Sequence, residues 1–286
     1  MNSVIEINQS RKERDKTLVS SMSKYLAEPF RIENKETIER VGLVTAYFDT
    51  FTHLLDDAKD QEGDGIALVH AGTSNLLEGI AESLKFIKNP VQVYDRLLRY
   101  WKDASEGERH LWRHHRKVFP YNDEDFVMLG KRGSVAKVPI PLFADISKNN
   151  NPISGLERGV ESVGLAVQLF DDVFDWKEDL SARIYTHPIA LAHQLSGSLD
   201  TGSIEEGMFY RGALKEVFDI GLQYLKCGAR YLVIAGANKL ASEVRIIEYG
   251  VQEAGKYLQH LKKNTHKEKD LTQGLRDIIH PFLADH

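Results

Sequence analysis

Seven aspartates carry the chemistry this sequence suggests. Asp56, Asp57 and Asp60 lie in FTHLLDDAKDQEGD, and Asp171, Asp172, Asp175 and Asp179 lie in GLAVQLFDDVFDWKEDL. Both segments read Asp-Asp-x-x-Asp at the end of an apolar run. In each copy the first and last aspartates are four residues apart, which on a helix puts them on one face. Asp179 extends the second face by another turn. Such a pattern is poor for stability. Like charges at this spacing cost about 0.2–0.5 kcal/mol per pair. Aspartate is a weak former of helix interiors, and negative charge near a helix C-terminus opposes the macrodipole. A hard divalent cation offsets all three costs. Magnesium prefers oxygen and usually takes one or two carboxylates together with phosphate oxygens. Two acid-rich helix ends facing each other would hold a magnesium cluster that grips a diphosphate and stabilises it as it leaves. One copy in a chain with 28% charged residues is weak evidence, because a solvated helix end explains it. Two copies, each closing an apolar run, are hard to reach by accident.

The elements that must position these acids are helices. Apolar residues recur at three- and four-residue spacing over long stretches, the signature of amphipathic helices. Strand-like alternation bounded by tight Asn-Gly turns is absent. The pattern predicts helices over 13–28, 35–60, 64–88, 91–118, 123–147, 153–180, 188–195, 204–226, 229–262 and 270–284. The eight prolines fall mostly at the joints. Two polar stretches, SKNNNPISG at 147–155 and SGSLDTGSIEEG at 196–207, read as loops between helices. The expected fold is therefore all-α. Residues 1–286 form one helical domain in this reading, with an N-terminal helical segment over 1–34. A helix of 25 residues spans about 37 Å. Long antiparallel helices make a bundle, and bundles place metal sites on inward-facing carboxylates.

Bulk properties remove other classes. The net charge of -5 argues against a nucleic-acid binder. The single cysteine, Cys227, allows neither an intrachain disulfide nor a Cys-based metal site, which fits a reducing, cytoplasmic setting. The polar start MNSVIEINQSRKERDK lacks the apolar core of a signal peptide. No apolar run is long enough to span a membrane.

The chain resembles the trans-isoprenyl diphosphate synthase and class I terpene synthase superfamily. THLLDDAKD is similar to that family's first aspartate-rich motif. GLAVQLFDDVFDWKEDL resembles the second, including the lead-in from Gly164 to Gln168. ALVHAGTSNLLEGIAESL resembles the helix after the first motif, and IYTHPIALAH the family's Thr-x-Pro helix start. The resemblance covers roughly residues 40–195. It implies a bundle of about ten or more helices around a central hydrophobic cavity. It implies magnesium held by Asp56, Asp60, Asp171, Asp175 and Asp179, with Asp57 and Asp172 in the catalytic motifs. An allylic prenyl diphosphate is the implied substrate, with Gln168 on it. The family also places a lysine on the diphosphate. Lys131 in GKRGS and Lys137 in SVAKVPIP both qualify, with Arg132 assisting and Arg183 a weaker candidate. Homodimers are common in the family, and nothing in the sequence itself shows one.

Departures matter as much as matches. Chain-elongating synthases carry a Gly-Lys-Arg near the N-terminus and an Arg-Arg pair after the first motif, where they bind the diphosphate of the second substrate. Here the first motif runs into QEGDGIALVHAG, and the preceding stretch is LAEPFRIENKETIER. The ionising site looks intact while the second diphosphate site looks dismantled. The leading expectation is thus a class I terpene synthase. The alternative is a prenyltransferase that elongates a prenyl diphosphate or prenylates a non-isoprenoid acceptor. A non-catalytic partner subunit is the rival of another kind, weakened because both motifs are kept. His114 and His115 read as a surface or partly buried pair rather than metal ligands. Phe48, Phe51, Phe170, Phe174 and Trp176 read as core.

Overall fold

The computed structural model describes residues 18–59 and 65–263, without the side chains of 18–21, 56, 57, 59 and 259–263. Asp60 and the segments expected as helices over 13–17 and 270–284 lie outside the described residues, as do the side chains of Asp56 and Asp57.

Among the described residues the chain is helical and contains no strand. Helix α1 is Leu18–Leu26, followed by a 3-10 turn at Glu28–Phe30 and α2 at Lys35–Lys59. Then come α3 (Gly65–Leu84), α4 (Pro90–His114) and α5 (Asp123–Arg132). A 3-10 segment, Gly133–Lys137, leads into α6 (Pro139–Ser147) and α7 (Ile153–Phe174). The last five are α8 (Trp176–Ser181), α9 (His187–Ser196), α10 (Thr201–Phe209), α11 (Ala213–Ile234) and α12 (Asn238–Lys263). Sequence neighbours pack on one another: α2 with α3, α4 with α5, α9 with α10, and α11 with α12. Helix α7 departs from this rule and packs chiefly on α11.

Local chemistry starts the helices. Asn34 accepts the Thr37 amide at 2.9 Å ahead of α2. The Asp145 carboxylate, reaching from α6, accepts the Lys88 and Asn89 amides at 2.6 and 3.1 Å and so fixes the chain that leads into α4. Asn122 and Asp125 form a capping box at the start of α5. Pro139 and Pro188 sit in the first turns of α6 and α9, where a missing N–H costs nothing.

Four expected helices divide differently. The stretch 123–147 breaks at Gly133–Lys137, because Pro139 and Pro141 have no N–H to continue α5. The stretch 153–180 bends at Asp175, where φ is -99° and ψ is 7°. The boundary expected near Cys227–Ala229 is absent, and α11 runs through it. The real breaks are Gly212, at φ 110°, and Gly236, at φ 86°. Gly228 instead lets two helices touch. A Cβ there would lie 3.0 Å from the Gly159 carbonyl, and one on Gly159 would lie 2.7 Å from Leu232.

One hydrophobic cluster runs from Met22 to Leu258. Trp176, Phe143, Phe170 and Phe209 are its largest fully buried side chains. No described helix is long and apolar enough to cross a membrane.

Candidate functional site

A cavity of about 380 Å³ opens between α2, α4, α7 and α12. That volume lies within the range of small-molecule sites, about 300–1,000 Å³. Trp101 and Ala104 of α4, Val160, Val163 and Val167 of α7, and Leu240, Val244 and Ile247 of α12 give it apolar walls. Gln168 lines it as well. The wall residues of α7 end one turn before Asp171. From Val160 to Asp171 the helix rises about 16 Å. On α2 the lining residues are Asp49, Thr52 and His53. Asp56 follows on the same stripe, at helical spacings of three, four and seven. Along α7, Asp171 follows the last lining residue, Gln168, by three positions, and along α2 the position of Asp56 follows that of His53 by three.

The second motif forms a strained electrostatic cluster. The backbone carries its face across the bend at Asp175. The Asp175 amide donates to the Asp171 carbonyl at 3.0 Å, and the Asp179 amide to the Asp175 carbonyl at 2.9 Å. Asp171 is exposed, while Asp172, Asp175 and Asp179 are partly buried. Burial, then Asp175 and Asp171, push the Asp179 carboxyl up to about 7. Burial also pushes Asp172 well above the usual carboxylate range, with Asp179, Asp171 and Asp175 adding to the rise and Arg132 opposing it. As a residue Asp172 keeps some solvent contact, but its Oδ2 is sealed and has no hydrogen-bond partner.

These features fit a hard cation. The donors are all carboxylate oxygens, one is orphaned, and their mutual repulsion is relieved by positive charge. Among the described residues no three His, Cys, Asp or Glu side chains form a metal-binding group by themselves. A magnesium that keeps water and takes phosphate oxygens needs fewer protein ligands than that.

The lowered acidity of Asp179 has a stability consequence. Between about pH 4 and 7 the folded, metal-free chain holds this proton more tightly than the unfolded chain. Stability from this group therefore falls as pH rises through that window, and the penalty is complete above pH 7. Asp179→Asn is expected to raise the metal-free melting temperature at pH 8 and to flatten its dependence between pH 4 and 7. A lower melting temperature at pH 8 would contradict the repulsion described here.

Cations are distributed selectively. Arg132, at the end of α5, lines the cavity and acts electrostatically on Asp172 and Asp179. Its Nε meets Glu108 of α4 at 2.7 Å. Gly107 makes that approach feasible, since a Cβ there would stand 2.5 Å from the Met128 carbonyl and 2.8 Å from the Arg132 amide. The two lysines expected on the diphosphate are both tied to acids away from the cavity lining. Lys131 reaches Glu106 at 2.8 Å and Asp103 at 3.7 Å on α4. Lys137 is 4% exposed and holds Glu161 of α7 at 2.5 Å and Ser134 Oγ at 3.1 Å. Its ammonium also lies 5.7 Å from the Tyr100 ring centroid. Glu161 is ten residues before Asp171, so that pair sits well below the acidic motif. Arg183 is exposed, in a left-handed turn after α8.

The histidine pair is structural. His114 Nδ1 meets Asp125 at 3.1 Å, and His115 Nε2 meets the Tyr121 hydroxyl at 2.5 Å. Phe51, Phe170 and Trp176 are buried, as core residues should be. The aromatic that reaches the cavity is Trp101, whose ring packs tilted against Phe51 with centroids 4.9 Å apart. Sequence reasoning also missed Asp49, His53, Glu108 and Glu243 as cavity residues. Only Asp49 and His53 left a signal, by sharing the stripe of Asp56.

No protein-family model and no characterised protein sequence matches the chain. Solved structures do. A decaprenyl diphosphate synthase from Rhodobacter capsulatus superposes with a TM-score of 0.67 at 15% identity, over 79% of this chain and 84% of that one. The chain has the isoprenoid synthase fold. A polyprenyl synthase from Caulobacter crescentus, complexed with calcium and isoprenyl diphosphate, gives 0.66 at 17% identity over 84% and 86%. A heptaprenyl diphosphate synthase from Staphylococcus aureus gives 0.66 at 15% identity over 81% and 86%. Those neighbours are trans-prenyl diphosphate synthases. They match the prenyltransferase alternative of the sequence reading better than the leading cyclase expectation.

Proposed function

We propose that this protein is a magnesium-dependent prenyltransferase that ionises an allylic prenyl diphosphate and passes the prenyl group to an acceptor. The carrying observation is the apolar cavity that ends under the Asp171–Asp179 face with Arg132 in its wall. Asp56 and Asp60 of the first motif and Asp171, Asp175 and Asp179 of the second would hold the metal. When bound, magnesium supplies positive charge to the leaving diphosphate. Asp57 and Asp172 keep the motifs acidic, and Gln168 lines the substrate channel. Arg132 is the protein cation for the diphosphate. Glu108 holds its guanidinium in the absence of ligand, and a diphosphate offers a stronger, doubly bonded partner. The valines of α7 and the aliphatic residues of α12 enclose the prenyl chain and exclude water from the cation. Lys131 and Lys137 serve α4 and α7 through their ion pairs.

The neighbours' identities favour chain extension with isopentenyl diphosphate as acceptor. A second reading, cyclisation or simple deprotonation by a terpene synthase, is favoured by one observation: no arginine pair follows the first motif. The test is incubation with C10, C15 and C20 allylic diphosphates and magnesium, with and without isopentenyl diphosphate. Mass spectrometry of the organic and aqueous phases reads the products. The expected result is a prenyl diphosphate five carbons longer than the substrate. Hydrocarbon or terpene alcohol alone, in both conditions, would hand the site to the cyclase reading. No pyrophosphate release from any of the three would overturn the proposal.

A further inference from the structure

The cavity has a closed foot, and helix α1 crosses it. Along α7 the lining starts at Val160, eleven positions before Asp171. Gly159 lets Leu232 of α11 press in beside it. The Ala237 amide donates to the Leu232 carbonyl at 2.8 Å, which sets the first turn of α12, with Leu240, against the same spot. Val160, Leu232 and Leu240 all line the cavity and are all buried. Helix α1 reaches over this end between two contacts. Ser23 Oγ lies 3.5 Å from Thr45 Oγ1 of α2, and the Tyr25 hydroxyl donates to Glu243 Oε1 of α12 at 3.5 Å. Met22, in the same turn of α1, is 6% exposed and lines the cavity. Glu243 lines it as well, and a hydrocarbon tail pushed past that carboxylate would strip it of water.

Two helices measure the depth alike. Val160 stands eleven positions before Asp171 on α7, and Thr45, the residue α1 leans on, stands eleven before Asp56 on α2. Eleven residues of α-helix rise about 16 Å. An extended carbon chain advances roughly 1.2 Å per bond, so each prenyl unit, with four chain bonds, adds about 5 Å. Three units need about 15 Å and four need about 20 Å. Resting on the prenyl diphosphate reading but not on which acceptor it uses, we infer that Met22 is a specificity-determining residue, the stop that limits the prenyl chain in this site to C15. The diphosphate is held at the Asp171 end, and the tail runs down the valines of α7 until it meets Met22. A C20 chain would have to displace α1 or leave its diphosphate short of the metal-binding face.

The test reads chain length directly. Wild type, Met22→Ala, Met22→Leu and Lys24→Ala are incubated with the C10, C15 and C20 allylic diphosphates and magnesium, with and without isopentenyl diphosphate. The measured quantity is the prenyl skeleton of every product, whether diphosphate, alcohol or hydrocarbon, set against the pyrophosphate released. Wild type is expected to form products up to C15, with C20 products lower by about 100-fold, since even one surplus methylene in a filled pocket costs about 10–200-fold. Met22→Ala should raise the C20 share about tenfold or more on the same scale. Met22→Leu, close in volume, and Lys24→Ala, on the exposed side of α1, should keep the wild-type pattern. Thermal denaturation shows whether Met22→Ala stays folded; if it does not, Leu240→Ala, which widens the same foot from α12, takes its place. C20 products from the wild type at levels near those of C15, or an unchanged pattern in the folded truncation, would overturn the assignment. Failure of the wild type to release pyrophosphate from any of the three would instead sink the prenyl diphosphate reading, and this inference with it.

Discussion

Asp56→Ala and Asp171→Ala are each expected to lower pyrophosphate release from an allylic diphosphate by about a thousandfold or more, the scale seen when a group stabilising a leaving charge is removed. In the mechanism proposed above, a motif without its first carboxylate would not hold the cation against the diphosphate, and neither motif would replace the other because they rise from different helices. The fold should survive both changes. Asp171 is exposed, and its charge raises the proton affinity of Asp172 and Asp179. Removing it relieves repulsion, so the metal-free melting temperature should hold or rise. Steady-state pyrophosphate release and thermal denaturation by circular dichroism give both readouts. Turnover near wild type in either variant, or turnover that survives excess chelator, would end the magnesium mechanism.

The second large effect is on stability. Glu161→Ala is expected to destabilise the protein by about 3–5 kcal/mol, because it leaves the Lys137 ammonium buried without its counter-charge. Lys137→Met should cost clearly less. Glu161 is 37% exposed and can turn to water, and the methionine keeps the packing against Tyr100. Urea denaturation of the two variants measures the asymmetry, and equal losses would show that the pair is not divided as its burial implies. The same Lys137→Met protein should bind magnesium pyrophosphate as wild type does. A large loss of that affinity would return Lys137 to the diphosphate, as one of the two lysines the family resemblance offered for it.

Much of the fold was legible in the chain. Three- and four-residue periodicity marked the helices because burying one helical face requires that spacing, and prolines marked joints because they lack an N–H. The duplicated Asp-Asp-x-x-Asp pattern was visible because clustered like charges at helix ends make no sense as packing. What the sequence could not separate were roles that depend on partners from distant segments. Lys131, Arg132 and Lys137 look interchangeable as text. Their fates differ because Gly107 draws α5 against α4, Glu108 meets Arg132 at the cavity wall, and Glu161 claims Lys137 below it. Gly228 read as a break and is a contact, since only the approach of α7 to α11 requires a missing Cβ there. Trp101 carried no motif at all, and His53 only the stripe it shares with Asp56. Local spacing determined which residues share a helix face. Tertiary packing alone decided which faces enclose the cavity, and therefore which charges line it.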